Sequence, residues 1–74
     1  MPASLKLAPH LTEEEIADCV QSANDPVEMR RWLALLLKIR GKRHSEIAVV
    51  LERHPSWVTH LIHLYNEHGP KRMA

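Results

Sequence analysis

Apolar residues recur at helical spacing in four separate segments of the chain. The first segment begins with Thr12 and Glu15, which form the pattern of an N-terminal capping box. Acidic residues at 13–15 suit the positive end of a helix dipole. One helical face then carries Ile16, Cys19, Val20 and Ala23. This pattern predicts an amphipathic helix that starts at Thr12.

The second segment is apolar almost all the way round. Asp25 is suited to the N-cap and Pro26 to the first helical position, and residues 32–39 read WLALLLKI. A helix that is apolar on most sides lies at the centre of a small protein. We therefore predict that this helix, which Gly41 ends, is the core on which the others pack.

Two further helices are predicted, each with one polar face. The third spans about residues 43–52, and the fourth runs from about Pro55 to His68, where Gly69 and Pro70 stop it. The inward residues of the fourth helix are Val58, Leu61, Ile62 and Tyr65. No alternating run indicates a strand. The sequence therefore predicts an all-α fold, a small bundle of about four short helices.

The third and fourth helices have the spacing of a helix-turn-helix. That motif needs a small residue where its two helices cross and apolar residues on both sides of the elbow. Ala48 provides the small residue. The predicted motif core consists of Ile47, Ala48, Leu51, Val58 and Leu61. The bundle is thus expected to contain a helix-turn-helix at residues 43–68.

Three pieces of the chain resemble a known family. They are an arginine-led apolar helix at residues 30–41, Glu-Ile-Ala at 46–48, and Tyr-Asn-Glu-His-Gly at 65–69. Over about residues 12–70 the chain is similar to the amino-terminal paired-like helix-turn-helix region of bacterial insertion-sequence transposases of the mariner superfamily. The resemblance implies binding to terminal inverted-repeat DNA or to an operator-like duplex. The separate nuclease domain of those transposases does not fit in 74 residues, so we expect either a stand-alone protein or a fragment.

The predicted turn departs from that family at three positions. Glu52 stands where the family has glycine, and a left-handed backbone there costs roughly 1 kcal/mol or more for a residue with a Cβ. Arg53 replaces an apolar residue that plugs the elbow, and His54 replaces a serine or threonine cap. These departures predict a rebuilt turn in place of the standard one.

The fourth helix carries the candidate DNA contacts. In a helix-turn-helix the amino-terminal half of the second helix enters the major groove of double-stranded DNA. The expected base-edge contacts are the outward residues Ser56, Thr59, His60 and His63. The expected phosphate contacts are the basic residues Lys42, Arg43, Arg53, Lys71 and Arg72. Because the first turns lack Arg, Lys, Asn and Gln, the sequence selectivity of the domain should be modest.

The overall charge leaves a second interpretation open. The formal net charge is only +1, whereas a dedicated nucleic-acid binder is often far more basic. A polar helix face can simply be solvated. If the core fails to cover Trp57 and Leu64, they form an exposed apolar patch. The alternative is then a degenerate helix-turn-helix that acts as a protein-interaction or dimerisation module, and a homodimer is possible in either case.

Catalytic and metal-binding functions are not expected. The residues supply no set of nucleophile, base and orienting group and no phosphate loop, so no enzyme, cofactor or small-molecule substrate is predicted. His60 and His63 are neighbours on one helix face, but structural zinc needs four ligands, so no metal is expected.

The sequence also indicates a cellular location and domain boundaries. Cys19 is the one cysteine, most simply a small core residue, and this fits a reducing cytoplasmic location. No apolar run reaches the roughly 18 residues of a membrane span. We expect a loose N-terminal arm at residues 1–11, a helix-turn-helix domain at 12–70 and a basic tail at 71–74.

Overall fold

Four α-helices and one short 3-10 helix make up the computed structural model, which describes residues 6–73. The α-helices are α1 (Glu13–Ser22), α2 (Pro26–Ile39), α3 (His44–Leu51) and α4 (Pro55–His68), and the 3-10 helix is Gly69–Met73. No strand occurs between residues 6 and 73. The predicted all-α bundle is therefore confirmed.

Local hydrogen bonds start the first two helices at the predicted residues. The Thr12 amide donates to Oε1 of Glu15 over 2.8 Å, and the Glu15 amide donates back to the Thr12 hydroxyl over 3.2 Å. Asp25 accepts from the Glu28 amide over 2.8 Å. Each such cap stabilises a helix by about 1 kcal/mol, which is why these starts can be read from short stretches of sequence.

The core forms around α2, which contacts α1, α3, α4 and the 3-10 helix. All five residues of the predicted motif core are buried, and so are the predicted inward residues of α4 and four residues of α2. The buried apolar residues are Ile16, Trp32, Ala34, Leu35, Leu36, Ile47, Ala48, Leu51, Val58, Leu61, Ile62, Tyr65 and Met73. Within residues 6–73, none of the helices combines the length and apolar character that crossing a membrane requires.

The elbow between α3 and α4 keeps the standard geometry, so the expectation of a rebuilt turn is wrong. Glu52 is left-handed, with φ 57° and ψ 45°. Its amide donates to the Val49 carbonyl over 3.2 Å, and the Arg53 amide donates to the Ala48 carbonyl over 2.8 Å. These two bonds are those of a Schellman motif, and they hold Glu52 in a conformation that glycine adopts without cost.

The Schellman motif also ends α2, where its left-handed residue is the glycine Gly41. Gly41 has φ 90°, its amide donates to the Lys38 carbonyl over 3.0 Å, and the Lys42 amide donates to the Leu37 carbonyl over 3.1 Å. The chain thus ends two helices by one hydrogen-bond pattern. Of the two left-handed residues, only Glu52 has a Cβ, so only there does the left-handed backbone cost free energy.

We predict that Glu52→Gly raises the free energy of unfolding by about 0.5–1 kcal/mol. Relief of the left-handed backbone contributes about 1 kcal/mol, and the greater entropy of glycine in the unfolded chain offsets part of it. Thermal unfolding followed by circular dichroism measures the gain. Glu52→Ala removes the same charge without relieving φ, so it should give no comparable increase. Equal effects of the two variants would mean that the charge, and not the backbone, matters.

Residues 6–11 lie against α4, which differs from the predicted loose arm. The Asn66 side chain holds this segment at two points: Oδ1 accepts from the Ala8 amide over 2.7 Å, and Nδ2 donates to the Lys6 carbonyl over 2.8 Å. The His10 ring meets the buried Tyr65 ring edge to face, with centroids 5.0 Å apart. These contacts hold residues 6–11 on α4; residues 1–5 lie outside the described residues, and the boundary of the arm at residue 11 stays a prediction.

Residues 71–73 of the predicted basic tail also belong to the folded structure, and residue 74 lies outside the described residues. Lys71 and Arg72 are exposed, as expected, but Met73 is fully buried. The 3-10 helix that carries them packs on α2 and α4. One apolar side chain therefore ties the C-terminal segment to the core, while the domain boundaries at residues 12 and 70 stay a prediction.

Candidate nucleic-acid interface

The inward stripe of α4 sets which of its residues face outward. Val58, Ile62 and Tyr65 have no exposed surface, and they fix the rotation of the helix about its axis. At about 100° per residue, the opposite face carries Ser56, His60, His63 and Glu67, all of which are exposed. Three of the four expected base-edge residues therefore lie together on the exposed face.

Thr59 is the exception among the expected base-edge residues. It is half-buried on the flank of α4 that meets α3. Its hydroxyl donates to the Pro55 carbonyl over 3.3 Å and lies 2.8 Å from Nδ1 of His44. The hydroxyl is thus engaged within the helix-turn-helix, which leaves less of its hydrogen-bonding capacity for a base.

His44, which the sequence analysis did not single out, links the start of α3 to α4. Because the Thr59 hydroxyl donates to Pro55, we assign the proton of the neutral His44 ring to Nδ1, which donates to that hydroxyl. Nε2 is buried and has no hydrogen-bond partner among the described residues. Burial lowers the pKa of the His44 imidazole, and the neighbouring Lys38 and His63 lower it further. The only indication of this contact in the sequence was that a histidine occupies the first position of α3.

The His44 contact predicts a pH-dependent stability of the domain. The unfolded ring has its ordinary pKa near 6.5, and the folded ring has a lower one. As the pH falls through about 6.5, the unfolded chain takes up the proton first, so the folded state loses stability until its own lower pKa is passed. Above that window the stability is fully present. We expect the melting temperature of the natural protein to fall more between about pH 8 and pH 5 than that of His44→Asn.

A second histidine variant serves as the control for this effect. His60 is exposed, so His60→Asn should keep the pH dependence of the natural protein. If the melting temperatures of His44→Asn and of the natural protein change equally with pH, the half-buried His44 ring does not set the pH dependence of the stability.

His54 provides the cap of α4, where the resemblance led us to expect serine or threonine. Its Nδ1 accepts from the Ser56 amide over 3.1 Å and lies 2.8 Å from the Ser56 hydroxyl. An unprotonated imidazole nitrogen is an acceptor, like a hydroxyl oxygen. The substitution of His54 for the usual cap therefore leaves the start of α4 satisfied.

The five expected phosphate contacts are all exposed and divide into groups around α4. Lys42 and Arg43 directly precede His44 in the sequence, and His44 contacts Thr59 on one flank of α4. Lys71 and Arg72 lie on the opposite flank, where they line a groove with Trp57. Arg53 lies at the elbow, with its guanidinium carbon 5.4 Å from the centroid of the Trp57 ring. Positive charge therefore borders the exposed face of α4 on both sides.

The acidic residues of α1 lie on another side of the bundle. α1 packs on α2, and Oε2 of Glu13 accepts from Nε of Arg40 over 2.9 Å. This exposed ion pair contributes little to stability, and it lies at the end of α2, whereas Glu67 is the acidic residue on the exposed face of α4. Among residues 6–73, no group of three or more His, Cys, Asp or Glu side chains is placed to hold a metal ion.

The apolar patch expected at Trp57 and Leu64 is only partly exposed. Both side chains are half-buried against the core, and Arg53 lies over the Trp57 ring. Among residues 6–73, the most exposed large apolar residues are instead Val49 and Val50 on the outer side of α3, at 77% and 62%.

Comparison with known proteins gives one match. The family model of the homeodomain-like domain matches residues 25–74, which is more than half of the chain. The matched region runs from the cap of α2 through the 3-10 helix, so α1 lies before it. No curated protein and no solved structure matches the chain.

Proposed function

The chain belongs to the homeodomain-like family, and from this membership we propose that it is a non-catalytic domain that binds double-stranded DNA. Domains of this helix-turn-helix type bind DNA in general, and the second helix of the motif is the one that enters the major groove. In this chain that helix is α4. The observation that carries the proposal is the exposed polar face of α4, which positive charge borders on both flanks.

The dimensions of α4 suit this role. Its 14 residues extend about 21 Å at 1.5 Å per residue, and a helix with side chains is about 10–12 Å wide. The major groove of B-form DNA is about 12 Å wide. The flanking cations would then lie next to the phosphates that border the groove.

Base contacts in this proposal come mainly from Ser56, His60 and His63. A neutral imidazole presents one donor and one acceptor, and a hydroxyl can do either. Neither makes the bidentate contact by which Arg or Asn distinguishes a base. Thr59 would act chiefly by fixing the angle between α3 and α4 through His44. The domain is therefore proposed to be sequence-selective, with modest discrimination.

We further propose a specific origin and role for the domain. The resemblance to the amino-terminal region of mariner-superfamily transposases supports a transposase-derived or transcription-regulator role with a paired-like helix-turn-helix. The Tyr-Asn-Glu-His-Gly segment that contributes to this resemblance contains Tyr65, which is buried, and Asn66, which holds residues 6–11. Terminal inverted repeats or an operator-like duplex are the targets that this proposal predicts.

One observation favours a second candidate function. Val49 and Val50 are adjacent and strongly exposed on the outer side of α3, and apolar surface of this kind can contact a protein. The second candidate is a protein-interaction or dimerisation module, which includes a homodimer through α3.

A salt titration against a pool of random duplexes tests the proposal. Each neutralised phosphate contributes about −0.9 to the slope of log K against log salt, so the five expected contacts predict a slope of about −4 to −5. Binding that is absent at low salt, together with a mass that rises with protein concentration, would favour the second candidate instead.

A further inference from the structure

A groove of about 380 Å³ lies along the flank of α4 that faces away from Thr59. Its cations come from two elements: Arg31 belongs to α2, and Lys71 and Arg72 belong to the 3-10 helix. Its apolar surface comes from α4 and consists of Trp57, Leu61 and Leu64. The groove is therefore amphipathic, and positive charge surrounds an apolar floor.

The chain reversal after α4 produces this arrangement. Gly69 has φ 75° and ends α4, and the 3-10 helix then packs back on α2 and α4. Met73 is fully buried and anchors the segment. Lys71 and Arg72 thereby come to line the same groove as Arg31, which precedes them by some 40 residues in the sequence.

The charges of the groove indicate the class of its ligand. No Asp or Glu lines it, so three like charges share the groove without an acid among its lining residues, an arrangement that an anion stabilises. The apolar floor adds a second requirement, because a small hydrated anion gains nothing from Trp57 or Leu64. A sugar–phosphate strand meets both requirements, since it alternates a charged phosphate with the largely apolar face of a deoxyribose.

We propose that this groove holds the backbone of one DNA strand, with Arg31 and the two C-terminal cations around a phosphate and Trp57 and Leu64 against a sugar. The inference rests on the proposed function and extends it to α2. His60 lines the edge of the groove and also belongs to the exposed face of α4. The backbone site is thus continuous with the surface that faces the bases.

The two flanks of α4 then have matching roles. Lys42 and Arg43 are placed for the strand on the side of Thr59, and the groove is placed for the strand on the other side. Because Arg31 is on the central helix, its contact with a phosphate fixes the orientation of the whole bundle on the duplex. Arg53, over the Trp57 ring, helps to hold the indole at the groove.

The test compares two neighbouring arginines of α2. Arg30 and Arg31 are both half-buried, but only Arg31 lines the groove. In a salt titration with the random duplex pool, Arg31→Gln should reduce the magnitude of the slope by about one and weaken binding about tenfold. Arg30→Gln, which removes the same charge, should leave the slope unchanged. Arg31→Lys keeps the positive charge and should therefore keep most of the slope of the natural protein. Thermal unfolding checks that each variant is folded.

Nuclear magnetic resonance of the two indole groups gives a second measurement. The Trp57 indole N–H signal should shift when the duplex is added, whereas the signal of the buried Trp32 should not. If Arg30→Gln and Arg31→Gln weaken binding equally, or if Trp57 does not respond while backbone amides of α4 do, the groove proposal is overturned and duplex binding stands. If the natural protein shows no salt-dependent duplex binding, the proposed function fails and the groove proposal fails with it.

Discussion

Ala48→Leu should lower the free energy of unfolding by about 3 kcal/mol, at the upper end of what overpacking costs. Ala48 is 2% exposed in the interface between α3 and α4, and its carbonyl accepts the bond from Arg53 that closes the elbow. Three additional carbon atoms can be placed there only if the two helices separate. The melting temperature should fall by about 12–24 °C, since each kcal/mol corresponds to about 4–8 °C in a domain of this size.

A second alanine-to-leucine variant separates the helix interface from the helix itself. Ala17 lies half-buried on α1, so Ala17→Leu adds the same volume where the side chain reaches solvent. It should change the stability by about 0.5 kcal/mol or less. A melting temperature of Ala48→Leu equal to that of the natural protein would contradict close packing of α3 on α4.

The double variant Arg43→Glu with Arg53→Glu should lose duplex binding by about a hundredfold or more, with helix content unchanged. Each reversal removes one phosphate contact, worth about tenfold, and places a carboxylate next to the phosphates that border the groove. Both side chains are exposed, so their replacement leaves the core intact. Retention of labelled duplex at fixed salt measures the loss, and far-ultraviolet circular dichroism measures helix content.

A double variant with the same change in net charge provides the control. The control is Arg30→Glu with Arg40→Glu. Arg30 lies within α2 and Arg40 directly follows it. Arg40 pairs with Glu13 of α1, and neither arginine is on α4. This control should keep most of the binding. Unchanged binding of the first variant would disprove the phosphate assignment, and equal losses in the two would mean that net charge alone attracts DNA.

The match to the homeodomain-like family covers three of the four α-helices, and α1 is additional to them. α1 contributes one fully buried side chain, Ile16, and packs on α2. A small domain buries a limited fraction of its surface. We therefore expect α1 to act on stability, while the contacts with DNA are made from α2 onward.

The sequence by itself determined the four α-helices and the placement of their ends. The Thr12 and Asp25 caps, Pro55 at the start of α4 and the apolar spacing within each segment all act over one or two turns of chain. Backbone geometry makes that spacing a property of the helix alone. For the same reason the buried side of α4, and hence the exposed positions of Ser56 and His60, followed from the pattern.

Only the tertiary structure decided which residues meet across the helices. His44 bonds Thr59 from 15 positions away, and the Asn66 side chain holds Ala8 from 58 positions away. Arg31 joins Lys71 and Arg72 in one groove through the packing of the 3-10 helix. The left-handed turn at Glu52 belongs with these, because the packing of α3 on α4 outweighs the local preference for glycine. Periodicity gives the face of each helix, but the contacts depend on how helices cross and rotate against one another, which is set by the whole core.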